Sequence, residues 1–374
     1  MDPCRTTAVA QSAGPGVWVL GLAGEFTGAA EGPVMDALAE ALRGEPAAIV
    51  LDLRGLERMD GSGLGLLVKL SFWAVRKEKR LLAFGLSPRC RLLFEELGLG
   101  SVISFHASRE KAFRAAGLTQ AAPAQEDPRL GAKSDLDACP ATQWAGPMGR
   151  AHLGAEAAGG AGLNVEGHRV RGPFDGFGQL WQKTYTVRLS GAQVSPAEVV
   201  RLCSERLGEL WPQGSRLHIP PPGLVPGAVG MIELRLPGGL PLKTGMRVLH
   251  ASAESFTFVT LSGHMEAGFI TFGAREEEGV TVVRVESTAR TGDPLYEVGF
   301  VLFGHSQQEA FWRSTLEALA RHYGVPASVQ VSKTCLDGSR QWAGAKNVVF
   351  NAAARTGLFM GLSLLSRVLR PAKR

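Results

Sequence analysis

Three groups of residues in this sequence have types and spacings that suit chemistry. The first is Asp60-Gly61-Ser62-Gly63-Leu64-Gly65, where an apolar strand pattern runs into a short loop and then a helical pattern. A serine at a helix start caps the helix, and a phosphate placed there would meet unpaired N–H groups at the positive end of the helix dipole. Flanking glycines leave space for another surface to approach closely. Such a serine is suited to act as an on/off charge at a docking face. The second group is His264 and Glu266, two residues apart, so on a strand they share a side. Glu286 and Arg290 lie further along and join them as candidate ligand-binding residues. A His/Glu pair also has the types needed for acid–base work. The alternative is a histidine in a hairpin bend and a solvated glutamate. The third group is the cysteines: Cys4, Cys90, Cys139, Cys203 and Cys335 form no CxxC pair. The odd count and scattered spacing predict neither a disulfide framework nor a zinc site, and fit a reducing cytoplasm. No metal or cofactor is expected. Gly-Ser-Gly-Leu-Gly lacks the lysine and the glycine spacing of a nucleotide-binding loop.

The elements that must position these residues divide the 374-residue chain into parts. Val17–Leu22, Ile49–Leu53, Leu81–Phe84 and Val102–Phe105 read as strands. Val34–Leu42, the stretch from Ser62 to Val75, Arg89–Leu97 and the stretch after Ser108 read as helices. Alternating strands and helices predict an α/β unit over 1–118, a mixed sheet with helical cover. From 119 to 173 the composition turns to Ala, Gly and Pro without periodicity, which predicts a mostly disordered linker in which Trp144 and Met148 are candidates to dock on a neighbour. Leu180–Leu189 begins a second unit over 174–324. Ser195, Pro196 and Glu198 form a capping-box start to a helix. Strand candidates follow at Val229–Leu236, Met246–Ala251, Ser255–Leu261, Ala267–Ala274 and Val280–Ala289. Gln307–Tyr323 reads as a long closing helix ended by Gly324. The predicted class is α+β, antiparallel strands with a long C-terminal helix.

Hydrophobic residues make up 45% of the chain and charged residues 20%, ordinary for a globular protein. The net charge of +5 is unevenly spread: residues 333–374 carry eight basic residues against Asp337 alone, a net +7. Leu358, Phe359, Leu362, Leu365, Val368 and Leu369 recur at helical spacing, followed by Arg370, Lys373 and Arg374. This basic amphipathic tail over 325–374 suits peripheral membrane contact or packing on a protein. No apolar run approaches the ~20 residues that span a bilayer. The N-terminal stretch lacks a signal pattern. A cytoplasmic protein is expected, with no nucleic-acid partner.

The segment DLRGLERMDGSGLGLLVKL closely resembles the signature of STAS domains of the anti-sigma-factor antagonist type. The resemblance extends over about Val17–Gly117 and includes AFGLSPRCRLLFEELGLGSVISFHASREKAF. It implies a non-enzymatic switch module in which a partner kinase phosphorylates the serine matched by Ser62. The unphosphorylated form would bind a partner such as an anti-sigma factor. Asp60 matches the motif's aspartate. Gly61 replaces the motif's first serine, and Thr27 stands where the family usually has an aspartate on an early loop. Phe256-Thr257-Phe258, the Gly263-His264-Met265-Glu266-Ala267-Gly268 motif and Gln307–Arg313 resemble the START-like helix-grip superfamily. That resemblance implies a curved sheet around a long helix, enclosing a small apolar ligand. The resulting expectation is a signalling protein, not an enzyme: partner docking at Ser62, Asp60, Gly61, Gly63 and Thr27, and ligand binding at His264, Glu266, Glu286 and Arg290. Two alternatives are kept: a lipid-binding or lipid-transport accessory protein, and a helix-grip enzyme using His264 and Glu266.

Overall fold

The computed structural model describes residues 6–118, 130, 134, 136–147, 149–152, 164–235 and 241–358. The chain divides into two compact units, 1–147 and 148–374.

In the first unit the strands β1 (Thr7–Gly14), β2 (Val17–Phe26), β3 (Ala48–Met59), β4 (Arg80–Phe84) and β5 (Ser104–His106) form one sheet in sequence order. β1 is antiparallel to β2, and the remaining pairs are parallel. Parallel neighbours need a crossover, and the helices supply it. These are α1 (Glu31–Arg43), α2 (Gly61–Arg76), α3 (Pro88–Glu96) and α4 (Arg109–Ala116). Ile49, Val50 and Leu51 are fully buried. A strand so covered on both faces reads as a continuous apolar run rather than an alternation. The mixed sheet with helical cover agrees with the expected class. β1 has little apolar signal and was not foreseen, and β3 runs six residues beyond the expected strand end.

The second unit is built on an antiparallel sheet ordered β14-β7-β13-β12-β11-β10-β9-β8. Its strands are β6 (Val170–Arg171), β7 (Leu180–Arg188), β8 (Arg216–His218), β9 (Val229–Arg235), β10 (Pro241–Ala251), β11 (Ser255–Leu261), β12 (Glu266–Glu277), β13 (Val280–Thr291) and β14 (Gln330–Asp337). The short β6 pairs with β11. α5 (Pro196–Leu210) starts with the foreseen capping box of Ser195 and Glu198. α6 (Pro294–Gly299) passes through a π-helical turn, Phe300–Gly304, into the long α7 (His305–His322). Leu316, Leu319 and Ala320 of α7 join Val199, Cys203 and Leu207 of α5 against Tyr185, Val187, Phe256, Phe258, Phe272, Val283 and Val285 of the sheet. A large antiparallel sheet with a long helix packed on one face is the architecture expected for this unit.

Three expectations are corrected. Within 119–173, expected to be mostly disordered with Trp144 a candidate to dock, Ala138, Cys139, Trp144 and Ala145 are buried in the first unit, while Asn164, Val165 and His168 are buried in the second. Met148 and most of the remaining stretch lie outside the described residues. Cys90 and Cys139 are joined as a disulfide, against the expectation of no pairing. The stretch after residue 324 is more than a tail: β14 pairs with β7 from Gln330 to Asp337, and a 3₁₀ helix follows over Trp342–Phe350. Of the amphipathic tail pattern, 352–358 is helical. Phe359 to Arg374 lie outside the described residues.

Candidate functional site

Phe26 of β2 pairs with Met59 of β3, so the residues that follow each strand lie at the same end of the sheet. Thr27 caps the 3₁₀ turn Gly28–Ala30, its hydroxyl accepting from the N–H of Ala29 at 3.4 Å. Asp60 caps α2: one carboxylate oxygen accepts the N–H groups of Ser62 at 2.9 Å and Gly63 at 3.0 Å. The topology therefore brings Thr27, Asp60, Gly61, Ser62 and Gly63 to one end of the sheet, and two local readings change. Asp60, not Ser62, is the cap. Ser62 is the second helical residue and is 8% exposed. Gly63 is not open to an outside surface either, because a Cβ there would lie 1.9 Å from the carbonyl oxygen of Phe26. Its missing side chain allows α2 to pack against β2.

In the second unit, the structure separates the four expected ligand-binding residues. β12 and β13 pair Ile270 with Ser287 and Phe272 with Val285. Even-numbered residues of β12 thus share a face with odd-numbered residues of β13. That face carries Phe272, Val283 and Val285 and packs on the helices. Glu266 belongs to it; Glu286 and Arg290 lie on the opposite face. There Glu286 accepts from Gln182 at 3.0 Å. Arg290 donates to the carbonyl of Gly178 at 3.1 Å and to Asp337 at 3.0 Å. Burial lowers the Arg290 pKa, and Asp337 opposes that shift. His264 sits in the bend before β12, where its Nδ1 accepts the backbone N–H of Glu266 at 3.0 Å. Burial lowers its pKa to about 4, which keeps the ring neutral and able to accept. This is the hairpin-bend alternative; the companion idea of a solvated Glu266 does not hold.

Glu266 instead joins a buried polar cluster that sequence reasoning did not foresee. Gln308 of α7 donates to Glu266 at 2.8 Å and accepts from Lys183 of β7. Lys183, 2% exposed, also donates to Nδ1 of His305 at 2.9 Å and lies 5.8 Å from the centre of the Phe300 ring. Burial lowers the pKa of Lys183 and raises that of Glu266, and each charge opposes the other's shift. Burial, with the charge of Lys183, brings His305 to about 4, so its neutral ring accepts a hydrogen bond from the ammonium.

Two donors face the same side of β7 as Lys183 by the two-residue strand repeat. The Tyr185 hydroxyl and the Trp181 indole N–H are buried and, among the described residues, have no hydrogen-bond partner. Burial pushes the Tyr185 pKa up, with Glu266 and Glu309 adding to the shift. Trp181 stands edge-on to His305, ring centres 5.5 Å apart. The cluster thus holds an ammonium, a carboxylate and two unpartnered donors beside an apolar core. The signal available in the sequence was Trp181, Lys183 and Tyr185 at alternate positions. The described residues contain no group of three or more His, Cys, Asp or Glu placed to hold a metal ion.

Residues 9–104 match the family model described as "Mlab, STAS domain". The first unit therefore contains a STAS domain over residues 9–104. Among solved structures, an anti-sigma factor antagonist from Mycobacterium paratuberculosis is 22% identical, covering 31% of this chain and 97% of its own, with a TM-score of 0.28. The anti-sigma factor antagonist SpoIIAA in its unphosphorylated form is 23% identical, covering 30% of this chain and all of its own, with a TM-score of 0.24. The di-domain ARO/CYC StfQ from the steffimycin biosynthetic pathway is 13% identical, covering 39% of this chain and 50% of its own, with a TM-score of 0.31. At these TM-scores the likenesses carry no weight beside the family match. No curated protein matches the chain.

Proposed function

Starting from a STAS domain in the first unit, we propose that the chain is a regulatory protein of the anti-sigma-factor antagonist type. Its first unit docks a protein partner, such as an anti-sigma factor or a kinase, at the sheet end where Thr27, Asp60 and Ser62 converge. Ser62 is the modification point. The second unit binds a small ligand and biases that docking. The family match over 9–104, with Ser62 in the first turn of α2, carries this reading. A phosphate on Ser62 would stand next to the Asp60 carboxylate, which already holds the first N–H groups of the helix. Modification therefore repels locally instead of filling an empty anion site. The test is phosphopeptide mapping of the protein from its host, together with partner binding by Ser62→Asp. No phosphate under any growth condition and unaltered binding by the variant would end the phospho-switch reading.

For the ligand, the unpartnered donors of Tyr185 and Trp181 beside Lys183 favour an occupant with an acceptor oxygen. Native mass spectrometry of the full chain is expected to show a bound small molecule that Lys183→Met releases. A chain that stays empty after incubation with host extract removes this half of the proposal.

One observation favours the lipid-handling alternative. Leu295, Val298, Val301, Leu302 and Phe303, on α6 and the π-helical turn, are each more than half exposed. Consecutive exposed apolar side chains suit contact with acyl chains at a bilayer surface. No helix among the described residues is long and apolar enough to cross a membrane. Co-sedimentation with phosphatidylglycerol vesicles, lost in Leu302→Asp/Phe303→Asp, would support this alternative; absence of vesicle binding by the wild-type chain would exclude it.

A further inference from the structure

β4 accompanies β3 only from Ala48 to Asp52, although β3 continues to Met59. Along that extension β2 lies on one side, with Phe26 against Met59. Residues 136–147 reach the other backbone groups of Met59. The N–H of Met59 donates to the carbonyl of Ala138 at 3.1 Å, and the indole N–H of Trp144 donates to the carbonyl of Met59 at 3.2 Å. Met59 immediately precedes Asp60, the cap of α2. The segment is held from α3 as well. Arg89 donates one guanidinium N–H to the carbonyl of Cys139 at 3.0 Å and another to the carbonyl of Trp144. Trp144 is fully buried, edge-on to Phe94 with ring centres 6.1 Å apart. The disulfide between Cys90 of α3 and Cys139 closes the attachment.

These anchors share a chemistry. An open strand backbone, an arginine fork for two main-chain carbonyls and an aromatic slot recognise an extended peptide bearing one aromatic N–H donor. None of them depends on a charged side chain of the bound segment. A face so built, bordering the cap of α2, lies beside Ser62 in the chain.

We infer that the end of β3 and the start of α3 form a peptide-binding face, that residues 136–147 fill it in cis, and that reduction of the Cys90–Cys139 disulfide frees it for a partner segment of the same chemistry. This rests on the docking reading above for the identity of the face, but not for its occupancy. The redox step is a thiol–disulfide exchange. Two thiols of a reductant donate two electrons and two protons, the Cys90–Cys139 bond breaks to two thiols, and the reductant leaves as its own disulfide. While the disulfide holds, the strap is tethered at its binding site and outcompetes an outside peptide by effective concentration. After reduction the Trp144 and Arg89 contacts and the main-chain hydrogen bond from Met59 to Ala138 act without a covalent tether, and the strap opens.

The test uses the full chain, oxidised and after dithiothreitol, with alkylation confirming the state of Cys90 and Cys139. Hydrogen exchange at the amide of Met59 is expected to accelerate at least tenfold on reduction, with Val50 and Leu51 unchanged. A Met59 amide equally protected in both states would overturn the inference. So would equal acceleration at Val50 and Leu51, which would mean that the unit as a whole had loosened. As a second measurement, a fluorescent peptide of residues 134–148 carrying Cys139→Ser is titrated onto oxidised wild type and onto reduced Trp144→Ala. At least tenfold tighter binding to the latter is expected, and equal binding to both would overturn the inference. Neither readout involves a partner. A strap that opens while Ser62→Asp leaves partner binding untouched would therefore sink the docking reading alone.

Discussion

Asp60 accepts the backbone N–H of Ser62 at 2.9 Å, so the serine at the centre of the STAS signature does not cap its own helix. The division of labour is physical. The aspartate supplies the negative charge that the helix N-terminus favours, and the serine hydroxyl is left free of that duty.

Replacing the cap should therefore cost stability where replacing the serine does not. Asp60→Ala is expected to destabilise the first unit by about 1 kcal/mol, the usual value of a lost N-cap. Ser62→Ala should stay within about 0.5 kcal/mol, since it removes no capping bond. Urea unfolding of the full chain, followed by hydrogen exchange at Val50 and Leu51, reads both. If Ser62→Ala costs as much as Asp60→Ala, the hydroxyl has a structural role after all.

Acid should weaken the second unit through its neutral histidines. His264 and His305 are held at about 4, against an ordinary value of 6.5, so below 6.5 the unfolded chain takes up protons that the folded chain refuses. Stability then falls as the pH drops from about 6.5 toward about 4. Glu266 acts in the opposite sense. Its raised pKa gives stability that is present at low pH and lost as the pH climbs above the ordinary carboxylate range. Thermal midpoints between pH 4 and 7 should show a net decline on the acid side, flattened in His264→Gln. A pH dependence of the midpoint that is the same in His264→Gln as in wild type would contradict the neutral ring assigned to His264.

Lys183 and Glu266, bridged by Gln308, should be energetically coupled. Lys183→Met leaves the Glu266 charge without its buried counter-charge, and Glu266→Gln removes the charge that needs it. The double variant is expected to be more stable than the sum of the single losses predicts, by on the order of 1 kcal/mol. A double-mutant cycle by denaturant unfolding measures this coupling, and strict additivity would mean that the two charges do not feel each other.

Local pattern revealed most of the elements because it depends on neighbours in the chain. Ile49–Leu53, the Asp60–Leu67 stretch and the Ser195 capping box were legible for that reason. What failed needed distance or register. The cysteines 90 and 139 meet only because α3 and the strap share one end of a sheet, and no local spacing announces that. The strap has no periodicity, since it is held by main-chain bonds and a single Trp144 rather than by an apolar stripe. Grouping Glu266 with Glu286 and Arg290 failed on parity. The β12–β13 hairpin places Ile270 opposite Ser287, so an even-numbered residue of one strand faces the same way as an odd-numbered residue of the other. Lys183 and Tyr185 were in plain view on an evident strand. The partners of Lys183, His305 and Gln308, come from a helix more than a hundred residues later.

The Tyr185 hydroxyl separates stability from function most cleanly. It is buried, with no hydrogen-bond partner among the described residues, and an unsatisfied buried hydroxyl costs about 1–3 kcal/mol. Tyr185→Phe keeps the ring that packs with Val187, Val285 and Phe272 and removes only that polar atom. The empty protein should thus gain up to about 1 kcal/mol, part of the cost being relieved by local relaxation. The ligand-bound protein should lose a hydrogen bond, so the same change should shorten ligand retention in native mass spectrometry. The two effects have opposite signs, which global damage to the fold cannot imitate. A Tyr185→Phe chain that unfolds more readily than wild type would show that the hydroxyl already has a structural partner, and the second unit would then have no free donor with which to hold a ligand at that position.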